Sequence, residues 1–413
     1  MKAYGKFPSK LENRAENLIH ILGNFRRSIV LMNIYQAVNI LTSLVVSVLF
    51  ARIASQGLYG QYIFVISIVS MVSLVSMPGV RTTIFRSSSK GKVGFYQEAT
   101  RFNFLWALLG VPLLVILGFY FYTSKTPGVG LSLIVASLFF PIIYAFQNWK
   151  NLLKGKERFE SFVVYESSIS ITKALLVIGV LLTSPENLLY LIFVYFLAAA
   201  ALNSYFYLKS LNFVSNNEAS INWREESYEY TLLEFTSYTF SKVDRILIGV
   251  FLPFSQVAIY NIAVKVSDTL FKFIKSSIEA VLPGFFKEDF KFSNFYPVFV
   301  LLLLLSGILY HFIEYPLIFL YTDKYQESVF LAQIYLFAIP FYFMSYVSIQ
   351  GLVKEKLSRE ATKSRIISIL IFICLSLIMI PTLGVLGGII ASVLYYPFQT
   401  LFAMYYLKKN DLI

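Results

Sequence analysis

Apolar runs of roughly 20 residues recur along the whole chain, separated by short polar segments, and about twelve can be marked. They lie near 29–51, 61–79, 102–122, 129–149, 163–183, 187–208, 230–252, 256–282, 295–315, 328–350, 365–382 and 386–407. That length is what a helix needs to cross about 30 Å of hydrocarbon. The runs lack the period-two alternation of a membrane barrel. The pattern predicts an all-α polytopic membrane protein. The stretch 230–252 is diluted by Glu234, Lys242, Asp244 and Arg245, and is counted because it keeps the connector charges in phase.

Composition agrees: of 413 residues 57% are hydrophobic and only 14% charged, with mean hydropathy +0.67. A soluble chain usually carries about 25% charged residues. Basic residues collect in alternate connectors, as at Arg81–Arg86–Lys90–Lys92–Arg101, Lys150–Lys154–Lys156–Arg158 and Lys354–Lys356–Arg359–Lys363–Arg365. The other connectors hold Arg52, Lys125 and Lys324. The positive-inside rule then puts both termini in the cytoplasm of a plasma (inner) membrane protein. The net charge of +12 is mostly topology, and no soluble basic module speaks for nucleic acid. The first 28 residues are polar and basic with no cleavage site, and Leu11, Ala15, Leu18, Leu22 and Phe25 recur at helical spacing. This reads as a cytoplasmic amphipathic segment on the leaflet. The lone Cys374 excludes an intramolecular disulfide.

The eighth run carries the chain's most unusual chemistry. Lys265, Asp268, Lys272, Lys275 and Glu279 stand three or four residues apart, on one helical face. Ile259, Ala263, Val266, Leu270, Ile274 and Leu282 occupy the opposite face. Charges in a bilayer cost roughly 2.5–3.5 kcal/mol each on insertion scales, so they face protein or a watery path. Lys242 and Arg245 in span seven and Lys173 in span five extend the set. These six cations exceed Glu166, Asp244, Asp268 and Glu279 by two charges, as an anion route requires. The alternative is structural: Asp268 is within helical reach of Lys265 and Lys272, and Lys275 of Glu279. Glu166 and Lys173 share a face and are expected to pair across to span seven or eight, while Asp244 adjoins Lys242 and Arg245 only in sequence.

A polar connector at 209–229 divides the chain into an N-lobe (29–208) and a C-lobe (230–407), flanked by the segment 1–28 and the tail 408–413. Ser55-Gln56-Gly57-Leu58-Tyr59-Gly60 before span two echoes Ser255-Gln256-Val257-Ala258-Ile259-Tyr260 at span eight, and both spans end at proline, Pro78 and Pro283. An even number of spans per half gives parallel repeats. Pro112, Pro141, Pro340 and Pro397 are expected to kink their spans. Gly384, Gly387 and Gly388 allow close approach at span twelve.

The order of several segments carries a resemblance. These are LFARIASQGLYGQY, MPGVRTTIFR, LLKGKERFESF, SKVDRILIGVFLPFSQVAIYNIAVKV, VLPGFFK, LYTDKY and LGVLGGIIASVLYYPF. In this the chain resembles the polysaccharide flippases of the multidrug/oligosaccharidyl-lipid/polysaccharide exporter superfamily, the O-antigen and capsule type. The resemblance implies two six-helix lobes around a central cleft with alternating access. It also implies transport of undecaprenyl-pyrophosphate-linked oligosaccharide to the outer leaflet, for lipopolysaccharide O-antigen, capsule or exopolysaccharide synthesis.

The residues fit that task. Lys173, Lys242, Arg245, Lys265, Lys272 and Lys275 can meet pyrophosphate as substrate-binding groups. Glu166, Asp244 and Asp268 are the candidates for coupling to H+ or Na+, or for ion pairing. Replacing Lys272 or Arg245 by Ala is expected to stop export at normal protein levels. No GxxxxGK[ST] loop, HExxH or Cys/His cluster is present, so no cofactor, metal or ATPase activity is expected. The enzymatic alternative, a membrane polysaccharide polymerase, would need a large outer loop; such a polymerase remains a candidate partner. A drug or cation antiporter of the same superfamily is expected to carry an acidic residue in span one, where this chain has the amides Asn33, Gln36 and Asn39 and hydroxyls.

Overall fold

Every regular element among the described residues of the computed structural model is helical. Those residues are 9–124, 126–214, 222–285, 295–355 and 357–410, without the side chains of 9–29, 232–233, 235–241, 276–277 and 279–285. The first half comprises α1 (Ser9–Ile53), α2 (Gln56–Val72), α3 (Gly79–Ser89), α4 (Tyr96–Leu108), α5 (Gly110–Thr123), α6 (Pro127–Phe146), α7 (Trp149–Gly155), α8 (Phe159–Thr183) and α9 (Leu188–Ser210). The second comprises α10 (Trp223–Phe251), α11 (Phe254–Phe285), α12 (Tyr296–Phe312), α13 (Glu314–Tyr321), α14 (Glu327–Leu336), α15 (Ala338–Lys354), α16 (Ser358–Leu383) and α17 (Val385–Lys409). Among the described residues nine helical segments are long and apolar enough to cross a membrane, and ten if the α12–α13 pair, bent by 49°, is one span. The charged α10 and α11, which the sequence reading also counts as spans, do not meet that standard. Of the expected N-terminal segment, 1–8 and the side chains of 9–29 lie outside the described residues, while the backbone of α1 runs unbroken from Ser9.

Prolines decide where the long rods break. A proline at position i cannot donate to the carbonyl of i−4. Pro112, Pro316 and Pro340 each stand four residues beyond a helix end, at Leu108, Phe312 and Leu336. Pro112 and Pro340 thus interrupt the helices of spans that each stay a single segment, Tyr96–Thr123 and Glu327–Lys354, whereas Pro316 stands beside the 49° bend that the sequence reading did not anticipate. Pro141 and Pro397 instead stay inside continuous helices.

In the first lobe α6 packs against α4, α5 and α9, with α1 laid on α8; in the second, α17 packs on α15 and α16, and α11 on α14 and α15. The lobes meet where α2 lies against α10 and α11, and where α3 lies against α10. The two members of the sequence echo therefore face one another. A Cβ on Gly60 would stand 1.6 Å from the Phe254 carbonyl oxygen, so only glycine allows this approach.

Both ends of the seam are bridged. On the end bearing the basic connectors, Thr231 Oγ1 accepts from the Gly79 amide at 3.0 Å, and Thr82 donates to Glu234 Oε1 at 2.8 Å. On the opposite end Arg52 donates to the carbonyls of Phe319 (2.6 Å) and Leu320 (3.1 Å), which end α13. Gln56 donates to the Lys324 carbonyl, and Ser47 meets Tyr321 at 2.9 Å.

Candidate functional site

The stripe on α11 behaves as its spacing implies. Ile259 and Ala263 are buried, and Val266, Leu270 and Ile274 pack against the same core. The polar face turns away from that core toward α1 and α10. Leu282 and Glu279 have side chains outside the described residues.

The charges on this face divide into a paired set and an unpaired set. Arg245 lies between two carboxylates, 3.3 Å from Asp244 Oδ2 and 3.2 Å from Asp268 Oδ2. Its Nε donates to Asn261 Oδ1 at 3.3 Å. Tyr260 donates to Asp244 Oδ2 at 2.6 Å and also meets Ser392 at 3.1 Å, tying α10, α11 and α17 together. Asp244 therefore adjoins Arg245 in space as well as in sequence. Asp268 spends its charge on Arg245, so the alternative Lys265–Asp268–Lys272 ladder does not form among the described residues. Among the described residues Lys242, Lys265 and Lys272 make no ion pair.

Lys242 and Lys265 face a cavity of about 290 Å³ lined from both lobes. Lys173 enters from α8, Lys242 and Arg245 from α10, and Asn261 and Lys265 from α11. A second chamber of about 360 Å³ shares Ser43, Arg245, Asn261 and Lys265 with the first and adds Asp268 and Lys272. Its far wall is apolar, made by Ile40, Leu44, Val266, Leu270, Leu317 and Leu320. Lys265 donates to Ser43 Oγ at 2.6 Å, in the wall common to both chambers.

Two candidates lie elsewhere. Glu166 pairs with Lys150 at 2.8 Å, inside its own lobe, rather than with span seven or eight. Lys150 stands four residues C-terminal to the α6 helix end, so the basic connector supplies the counter-charge. Lys275 is exposed and does not line either chamber. Lys173 does, with its ammonium 4.9 Å from the Tyr195 ring centre.

Sequence reasoning missed the uncharged lining. Asn39, Thr42, Ser43 and Ser47 of α1 all face the first chamber, at spacings of one helical face. Their periodicity within an otherwise apolar span was the available signal. Tyr59, Tyr62 and Tyr195 also line it, and Asn261 donates to the Tyr59 hydroxyl at 3.1 Å. Nothing in the sequence separates these tyrosines from the many others. The chamber thus offers ammonium groups, hydroxyls and aromatic faces, with no carboxylate among the described residues that line its first part.

Comparison with known proteins is consistent with this architecture. Residues 25–289 match the profile of a family described as "Polysaccharide biosynthesis protein". No curated protein matches the sequence. The fold is similar to that of the lipid II flippase MurJ in an inward closed conformation, with TM-score 0.70 and 14% identity over 92% of this chain and 87% of that one. It is also similar to an inward-facing multidrug resistance MATE family transporter of the MOP superfamily (TM-score 0.58, 11% identity, 92% of this chain and 98% of that one). A MOP superfamily transporter from Pyrococcus furiosus, described as having a binding pocket of reverse polarity, matches with TM-score 0.53 and 12% identity over 93% and 95% of the two chains.

Proposed function

The chain belongs to the polysaccharide biosynthesis protein family, and from that premise we propose that it flips undecaprenyl-pyrophosphate-linked oligosaccharide repeat units from the cytoplasmic to the outer leaflet. The observation that carries this reading is the convergence of Lys173, Lys242 and Lys265 on one chamber whose lining holds no carboxylate. A pyrophosphate cannot enter hydrocarbon, and a cluster of ammonium groups without counter-charges supplies the attraction it needs. Hydroxyls and tyrosine faces beside them suit the sugar. The apolar wall of the second chamber suits the first isoprene units.

Transport proceeds by rocking one lobe against the other about the α2–α10–α11 seam. The basic connectors orient the Thr82–Glu234 end toward the cytoplasm, so both termini are cytoplasmic and the Arg52 end faces outward. Binding in the chamber favours whichever lobe arrangement brings the lysines together around the anion. Asp244 and Asp268 are committed to Arg245, and Glu166 to Lys150, so an H+ or Na+ that drives the cycle must displace one of these pairs. The protein acts as a transporter, and O-antigen, capsule or exopolysaccharide repeat units are the cargo class; a polysaccharide polymerase is the downstream partner that such cargo calls for.

Likeness to multidrug transporters keeps a cation antiporter as the competing reading, which the chamber's charge opposes. The test is export in cells with Lys265→Ala and Lys242→Ala. Loss of surface glycan at unchanged protein level, with partial recovery in Lys265→Arg, supports the proposal. Normal export in both Ala variants rejects it.

A further inference from the structure

A second basic concavity lies apart from the central chambers, at the seam between α3 and α10. It has a volume of about 170 Å³ and is lined by Arg86, Ser87, Lys90 and Lys92 of the first lobe and by Glu226 and Tyr230 of the second. Connector charges that serve only topology need no shared concavity. Here the backbone makes one. After α3 ends, Gly91 adopts φ +76°, and the amides of Lys90 and Lys92 both return to the Ser87 carbonyl, at 3.1 and 2.9 Å. This tight turn holds two lysines beside Arg86. Among the described residues neither Lys90 nor Lys92 makes an ion pair.

Arg86 is also a contact between the lobes. Its guanidinium lies 4.7 Å from the Tyr230 ring centre and donates to the Tyr230 hydroxyl at 2.5 Å. The rest of that seam is held by Thr82–Glu234, Gly79–Thr231 and Ser227–Thr83. We propose that this concavity binds a phosphate group, either of an anionic lipid headgroup or of a free phosphate ester, and that binding loosens the α3–α10 seam.

Two effects have the same sign. A phosphate takes the Arg86 guanidinium in a bidentate pair between opposite charges, which the single bond to an uncharged phenol oxygen does not match, so Arg86 leaves Tyr230. The bound anion also repels Glu226 on the α10 wall, pressing α10 away from α3. Basic pockets between membrane helices on the cytoplasmic side are suited to lipid headgroups, because each Lys or Arg near an anionic surface adds to the attraction. The site would thus open the cytoplasmic seam in response to phosphate at the membrane surface. It does not depend on the cargo assigned to the central chambers, because none of its residues lines them.

The test uses the full chain in nanodiscs, with Cys374→Ser and Thr231→Cys placing one thiol in the seam. Maleimide labelling is measured in phosphatidylcholine alone, with phosphatidylglycerol added, and with inorganic phosphate added instead. Labelling should rise roughly fivefold or more, the lower end of ordinary coupling, in one of the two supplemented conditions. A response to phosphatidylglycerol alone identifies a headgroup; a response to inorganic phosphate identifies a free ester. The rise should vanish in Lys90→Gln/Lys92→Gln, which keeps Arg81, Arg86 and Arg101 for topology. A parallel measurement without the seam cysteine counts phosphatidylglycerol retained per chain by native mass spectrometry, expected to fall in the same double variant. Labelling indifferent to both additions, or an undiminished response and lipid count in the double variant, overturns the proposal.

Discussion

Arg245 and Lys265 sit in the same chamber yet have opposite attachments. Arg245 holds two carboxylates, whereas Lys265 donates to the hydroxyl and carbonyl oxygens of Ser43. Removing one partner from a buried ion cluster leaves an uncompensated charge and costs about 3–5 kcal/mol. Arg245→Ala is therefore expected to lower the protein level and the melting temperature in detergent, with Arg245→Lys recovering part of both. Lys265→Ala should leave the stability within about 2 kcal/mol of wild type, since it loses hydrogen bonds to Ser43 alone. The sequence named both residues as candidates, and both line the first chamber. It could not tell them apart, because the pairing of Arg245 with Asp268 joins two helices and leaves no trace in local spacing. Glu166 is the same lesson: its partner Lys150 looks like a topological charge in sequence and is an ion-pair partner in space.

At the scale of single helices, hydrophobic run length located the rods, and proline chemistry located their breaks. The rule that a helix ends four residues before a disruptive proline holds at Pro112, Pro316 and Pro340 and fails at Pro141 and Pro397. Packing from neighbours decides which prolines are tolerated, and a sequence does not display its neighbours. Pro340→Ala restores the missing amide at the α14–α15 break. It should make the helix continuous across that break and slow transport while leaving stability nearly unchanged; unaltered transport rates would remove the break from the mechanism. At Gly60 the demand is steric. Gly60→Ala drives a methyl into the Phe254 carbonyl, and overpacking of this kind costs roughly 1–3 kcal/mol. A lower melting temperature together with lost export is expected, and a silent Gly60→Ala would mean that α2 and α11 do not rely on this contact.

For the molecule as a whole, the two halves and the polar stripe were legible in the sequence; the state of the cleft was not. Run count, alternating connector charge and the Ser55/Ser255 echo point to two lobes without any contact being known. The seams are different in kind. Arg52 against the end of α13, and Thr82 against Glu234, bring together residues more than a hundred positions apart through one or two hydrogen bonds each. With both seams bridged, the chambers lie between the two bridged ends, where the proposed flipping requires its site. Four lysines, Lys173, Lys242, Lys265 and Lys272, face it without an ion-pair partner among the described residues. Their charge is the central claim, and it is testable with the purified protein alone. In proteoliposomes carrying an undecaprenyl-pyrophosphate oligosaccharide with a fluorescent sugar, the fraction reachable by an external quencher reports leaflet transfer. The wild-type chain should equilibrate the lipid across the bilayer, and the variant Lys173→Gln/Lys242→Gln/Lys265→Gln/Lys272→Gln should fall to the protein-free rate. Transfer undiminished in the four-lysine variant would contradict the account.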